Sequence, residues 1–288
     1  MKDRKTLIYI IGAGRSGTTL LDIILGNNED AISLGEINRF YKRKGYPPKR
    51  ESKSKEFEFW DKIRENLSKK VGGLDFKKLE EESRANEYHS NVLKKILGYD
   101  SEMYSHHLRL MYETLHENIE QNLIVESSKY PLRGVNLSRM VPSNLFDIKY
   151  VYLKKDPISV VASFQKKNIE QPSKGFISAN IYYLLVNLLC KSVVLFLKIR
   201  GHMVSTLRYE DLIGKKGESF KKLSADLAID FKVLQSKLTD NTPLHTGYLF
   251  DGNRIRLEES LTLRSSEINV KKNSKYYFTR ILNYIVYK

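Results

Sequence analysis

The sequence predicts an α/β fold, a central parallel β-sheet flanked by helices, and three observations point to it. Short apolar, β-branched runs at residues 7–11, 123–126, 150–153 and 204–207 have the length and composition of strands. Longer helix-period segments, 56–70 and 87–121 among them, lie between these runs, an alternation that reads as a parallel sheet covered by helices. The first run breaks into the glycine turn of "IYIIGAGRSGTTLLDIIL" and resumes at helical spacing, the strand-loop-helix opening of a P-loop NTPase-like sheet.

At 288 residues the chain can bury one substantial core. The expectation is a single domain with a helical insertion at about 40–120 and a basic tail at about 270–288. Lys and Arg number 49 against 34 Asp and Glu, a net charge of +15, so the surface attracts anions: nucleotides, nucleic acid, anionic lipid or acidic polymers. The one cysteine, Cys190, excludes an internal disulfide and fits a reducing compartment. The apolar segment at 7–11 is too short for a signal peptide or membrane anchor, so the expected location is cytoplasmic.

Taken in chain order, the opening loop is the first stretch that bears chemistry. Gly12, Gly17, Thr18 and Thr19 fit the template G-x-x-x-x-G-K-[ST], and only the lysine is missing. Gly12, Gly14 and Gly17 let the backbone approach an anion closely, and the helix that follows aims its N–H groups at it. The lysine suits a γ-phosphate as a point charge. Arg15 instead offers a planar fork that grips two anion oxygens.

Next comes "SLGEINRF", where Glu36 is either an ordinary helix-start residue or a general base. Residues 42–55, "KRKGYPPKRESKSK", read as a solvated mobile loop, with a flap over an anionic acceptor as the functional alternative. His106, His107 and His116 lie within the 87–121 segment at offsets that do not share a helix face, and they read as exposed side chains rather than zinc ligands. In "LIVESSKYPLR" a strand ends in Ser127, Ser128 and Lys129 before a proline turns the chain. A lysine there is either a surface residue or a stabiliser of charge on a transferring group.

The stretch "IKYVYLKKDPISVVASFQKK" predicts a strand, the pair Lys154 and Lys155, then a helix capped by Asp156 with Pro157 in its first turn. Ser163 follows on that helix, and with the lysines it can bind a second phosphate. Residues 181–197 are strongly apolar but interrupted by Asn187 and Lys191, and are expected to pack as a helix against the sheet. The tail "KKNSKYYFTRILNYIVYK" holds five basic residues and no acidic one, with apolar residues at helical spacing; it either packs on the domain or lies on anionic lipid.

In this order, "GAGRSGTTLL", "ESSKYPLR", "YVYLKKDPISVVASF", "STLRYEDL" and "HTGYLFDGNRIR" resemble the sulfotransferases that use 3′-phosphoadenosine 5′-phosphosulfate (PAPS). The likeness is greatest to the branch containing tyrosylprotein, carbohydrate and bacterial enzymes. The matched blocks span residues 7–256. The resemblance implies that Gly14, Arg15, Ser16, Gly17, Thr18 and Thr19 hold the 5′-phosphosulfate. Lys155 and Ser163 take the positions of an arginine and a serine that bind the 3′-phosphate, and Lys154 is placed to share that contact. Glu36 takes the position of the acceptor-activating base and Lys129 that of a lysine serving the transition state, beside Arg15. Tyr209 falls in the nucleotide pocket. Asn253 and Arg256 fall in a block that closes over the nucleotide, although Arg254 stands where that block has proline. No metal is implied.

The implied reaction is sulfuryl transfer from PAPS to a hydroxyl acceptor, a saccharide or glycolipid in preference to protein tyrosine, with adenosine 3′,5′-bisphosphate released. Nucleic acid is not an expected partner, whereas the tail makes peripheral contact with the inner membrane surface a further expectation. Two other readings compete. A P-loop kinase or NTPase shares the opening, but the lysine and a clear magnesium-holding aspartate that it needs are absent from this sequence. A non-catalytic basic protein binding nucleic acid or a membrane surface accounts for the charge alone.

Overall fold

The computed structural model describes residues 3–92, 101–166, 173–263 and 272–288. The chain runs β1 (Lys5–Gly12), α1 (Thr18–Leu25), β2 (Ala31–Ser33), α2 (Lys55–Val71), α3 (Phe76–Glu87) and α4 (Glu102–Asn118). It continues with β3 (Leu123–Lys129), α5 (Pro131–Met140), β4 (Phe146–Lys154), α6 (Pro157–Gln165), α7 (Phe176–Ile199) and β5 (Val204–Arg208). The last part comprises α8 (Tyr209–Gly214), α9 (Lys216–Leu227), α10 (Lys232–Thr239), a small hairpin of β6 (Leu244–His245) and β7 (Ser260–Leu261), then α11 (Ser274–Leu282) and α12 (Tyr284–Tyr287).

Among the described residues the main sheet has the order β2-β3-β1-β4-β5, and every neighbouring pair is parallel. All carboxyl ends therefore share one edge. The run Leu7 to Ile11 is apolar at every position because β1 is central and both its faces are covered. Leu7, Tyr9 and Ile11 pack with side chains of α2, α4 and α7, whereas Ile8 and Ile10 pack with those of α1, α9 and α10. The chain thus leaves β1 toward one face of the sheet and leaves β4, its neighbour, toward the other. The crevice between their carboxyl ends is the switch point at which open α/β sheets bind ligands.

The helical segment read at 87–121 is divided. Helix α3 ends at Glu87 because Tyr88 turns extended (φ −72°, ψ 144°), and α4 begins afresh where the Ser101 hydroxyl accepts from Tyr104 N. The intervening part of that segment, 93–100, lies outside the described residues. His116 is buried on α4 against Phe146, not exposed, and its Nε2 lies 3.1 Å from Asp3 O.

A buried polar cluster clamps α3 and α4 to β3. Arg133 donates to Glu126 at 2.7 Å and to Glu87 at 2.5 Å, and the Tyr104 hydroxyl donates to Glu87 at 2.9 Å. Burial pushes the Glu87 carboxyl up, against the pull of Arg133. Removing one partner of such a pair strands a buried charge, at a cost of about 3–5 kcal/mol.

Residues 42–55 are not a detached flap. Arg43 meets Asp251 at 3.1 Å, Arg256 donates to Pro48 O at 2.8 Å, and Arg50 donates back to Arg256 O. Tyr46 also stacks on Phe57 with ring centroids 4.9 Å apart. The basic residues here spend part of their charge on holding two loops together.

Candidate functional site

A cavity of 610 Å³ opens at the carboxyl edge of the sheet, and Arg15, Thr18, Thr19, Glu36, Lys129 and Lys155 are among the residues that line it. Gly17, Ser163, Tyr209 and Asn253 also line it, so most of the site residues expected from sequence converge on one space. Gly14 and Ser16 belong to the loop between β1 and α1 but are not among the residues that line the cavity.

That loop is shaped by its glycines and by Tyr182. Gly17 caps α1 with φ 91°, and a Cβ there would lie 2.5 Å from the Tyr209 ring, so both the backbone and its neighbour demand glycine. Gly14 N donates to the Tyr182 hydroxyl at 3.0 Å. Arg15, itself at φ 66°, reaches across the switch point: its Nη1 donates to Ser163 O at 2.9 Å, and its guanidinium lies 4.7 Å from the Phe164 ring centroid. Burial lowers the Arg15 pKa from its ordinary value.

Glu36 follows β2 through Gly35, whose φ is 74° and whose Cβ position would lie 2.6 Å from Asp251 O. Glycine is therefore required before the carboxylate, which accounts for the Gly-Glu step. Glu36 N donates to Asp251 O at 3.0 Å, and Gly35 N donates to the buried Asp22 carboxyl at 3.0 Å. Burial pushes that Asp22 carboxyl up to about 8, against hydrogen bonds from Ser127, Gly35 and Ser33.

The Glu36 side chain is only 2% exposed and is held by two cations, Arg39 at 2.9 Å and Lys129. Lys129 ends β3 in the left-handed region, φ 62°, which brings its ammonium to Glu36. Such a φ costs a non-glycine residue roughly 1–2 kcal/mol. The turn carrying Glu36 is also tied to β3 by Asn38 N, which donates to the Ser128 hydroxyl at 3.0 Å.

On the far wall the Lys155 ammonium lies 3.9 Å from the Tyr209 ring centroid, and burial lowers its pKa. Its carbonyl accepts from the Tyr183 hydroxyl at 2.7 Å, and the Asp156 side chain caps α6 at Ile158 N and Ser159 N. Two residues expected from sequence lie elsewhere. Lys154 points to the other side of β4, where its ammonium donates to Tyr287 O at 3.2 Å; burial and the neighbouring Lys191 and Arg208 pull it down to about 8. Arg256 is buried against Asp251 and Pro48, and it is Arg254 that lines the cavity. Residue 254 takes the outward position of the short 3-10 turn Arg254–Leu257, so the two arginines exchange the expected directions.

Sequence reasoning gave no role to Tyr182, Arg39 or Asp251. Tyr182 sits at the start of the apolar run 181–197, before its first polar interruption at Asn187. Arg39 and Asp251 stand inside the quoted stretches but become visible only as partners: Asp251 receives Arg39 at 3.5 Å and Arg43 at 3.1 Å while its carbonyl orients Glu36.

No family model and no curated protein matches the chain. Solved structures do. A sulfotransferase domain from the curacin biosynthetic pathway has a TM-score of 0.53 and 20% identity, covering 99% of this chain and 99% of its own. A sulfotransferase domain from the olefin synthase of Synechococcus PCC 7002 has a TM-score of 0.52 and 17% identity, covering 100% of this chain and 97% of its own. The chain has a sulfotransferase fold.

Proposed function

We propose that the cavity binds PAPS and that the protein transfers its sulfuryl group to a hydroxyl acceptor, releasing adenosine 3′,5′-bisphosphate. One observation supports this above the others: Arg15, Lys129 and Lys155, from the ends of three neighbouring strands, face one cavity that also holds the Glu36 carboxylate. The volume, 610 Å³, falls within the range of about 300–1,000 Å³ usual for small-molecule sites. Leu20, Ile213, Ile255 and Leu263 give the cavity an apolar side suited to a purine, and Arg15 with Lys155 and Ser163 gives it an anion-binding side.

In the proposed reaction the acceptor oxygen forms a bond to sulfur while the bond from sulfur to the bridging phosphate oxygen breaks. The hydroxyl proton passes to Glu36 and the electron pair leaves with the 5′-phosphate. Charge grows on the leaving phosphate and on the sulfuryl oxygens, where Arg15, the loop N–H groups and Lys129 serve it. Lys129 and Glu36 touch each other, so one point of the cavity offers both a cation for the transferred group and a base for the acceptor. A saccharide or glycolipid hydroxyl is the proposed acceptor class.

The 3′-phosphate gives a direct test. Wild type binds adenosine 3′,5′-bisphosphate more tightly than adenosine 5′-phosphate, and Lys155→Ala removes about 10- to 100-fold of that preference, as loss of one or two charge-assisted bonds should. Equal affinity of the wild type for the two nucleotides would refute the reading.

A further inference from the structure

Helix α7 is apolar on both sides. Its buried side carries Tyr183, Val186, Cys190 and Leu197 beside Asn180 and Asn187, whereas its outward side presents Ile177, Ile181, Leu185, Leu188, Leu195 and Ile199. These lie at offsets of four, four, three, seven and four, a continuous stripe along a helix of 24 residues. The expectation that 181–197 packs against the sheet thus describes one face only. The Tyr152 hydroxyl fixes that face by donating to Asn187 at 2.7 Å. A water-facing helix carries polar residues on its outward side, and a helix that is apolar all round is covered on both sides.

Helices α11 and α12 also turn apolar side chains outward beside it. Thr279, Asn283 and Val286 are buried, while Tyr277, Phe278, Ile281, Tyr284 and Ile285 are exposed. The two units are locked together: Phe176 meets Phe278 with ring centroids 5.7 Å apart, Asn283 donates to Asn180 at 2.9 Å, and Lys191 donates to Ile285 O at 2.6 Å. Exposure reaches 58% at Leu185 and 77% at Ile281, so these side chains are not marginally covered.

We propose that this face, α7 with α11 and α12, docks on the surface of an anionic lipid bilayer. Charge selects that occupant. Between 173 and 203 and between 272 and 288 there is no Asp or Glu, and the charged side chains are Lys or Arg. A second copy of the chain would set cation against cation, whereas anionic headgroups complement the face. Exposed tyrosine and phenylalanine beside aliphatic side chains suit the headgroup boundary. Because the other side of α7 is fixed to the sheet, the helix lies along the surface and does not cross it.

The test uses the full chain and vesicles of phosphatidylcholine with and without phosphatidylglycerol. Wild type sediments with the anionic vesicles, less so at high salt, and poorly with the neutral ones. Leu185→Glu with Ile281→Glu lowers the vesicle affinity by about tenfold or more, since it places charge where apolar area would be buried. Leu188→Ser with Ile285→Ser provides a milder second variant. Unchanged melting temperatures and bisphosphate affinity show that either variant is folded. Wild type that stays in the supernatant, or folded variants that sediment like wild type, would overturn the proposal. A dimer in sedimentation equilibrium that the variants split, without vesicle binding, would assign the face to a second copy instead.

Discussion

Glu36→Gln is expected to lower kcat by about 10²–10⁴-fold, the usual contribution of a general base, while the affinity for adenosine 3′,5′-bisphosphate stays close to that of wild type. The carboxylate is fixed before any substrate arrives: Asp251 O holds its backbone, and Arg39 and Lys129 hold its oxygens. Glutamine keeps the shape and the acceptor oxygen but cannot take a proton. The loss therefore falls on the chemical step rather than on donor binding. The comparison is a kcat and KM determination with an acceptor that wild type sulfates, paired with calorimetry on the bisphosphate. A variant with normal turnover would remove Glu36 from the chemistry and leave it as a structural partner of Arg39 and Lys129.

Arg15→Ala is expected to impair donor use and turnover together, with kcat/KM falling by about 10²–10³-fold, the scale seen when one donor to a developing oxyanion is lost. Arg15 is the side chain that bridges the switch point, from the loop after β1 to Ser163 on α6. Its removal takes away a charge and also the link that draws the two halves of the proposed anion site together. Arg15→Lys separates these contributions: a lysine keeps the charge and loses the fork, so it recovers only part of the activity. Steady-state kinetics in PAPS reads both variants. Unaltered PAPS kinetics in Arg15→Ala would exclude the proposed contact.

The strands were legible because a central parallel strand buries both faces, and runs such as 7–11 and 150–153 are apolar throughout. The cavity's cationic residues Arg15, Lys129 and Lys155 were legible because they end or follow those strands. Side-chain direction was less so. At the end of β4 the alternation of extended backbone sends Lys154 and the following Lys155 to opposite sides, and only Lys155 reaches the cavity. For Arg254 and Arg256 the direction depends on a turn, which short polar sequence does not specify. Long-range polar pairing was the part that could not be read. Tyr182 meets Gly14 from 168 positions away, and Asp251 meets Arg43 from 208. Neither pairing leaves a local trace. Hydropathy likewise identified α7 as apolar without showing that one face of it is exposed.

The central claim is that this phosphate loop, with arginine in place of the lysine, serves a phosphosulfate donor rather than a nucleoside triphosphate. Calorimetric titration of wild type with adenosine 3′,5′-bisphosphate, beside Mg-ATP under the same conditions, tests it most directly. The account predicts clear saturable binding of the bisphosphate and much weaker binding of Mg-ATP. Tighter binding of Mg-ATP would place the chain with kinases or NTPases in function, and binding of neither nucleotide would contradict the site itself.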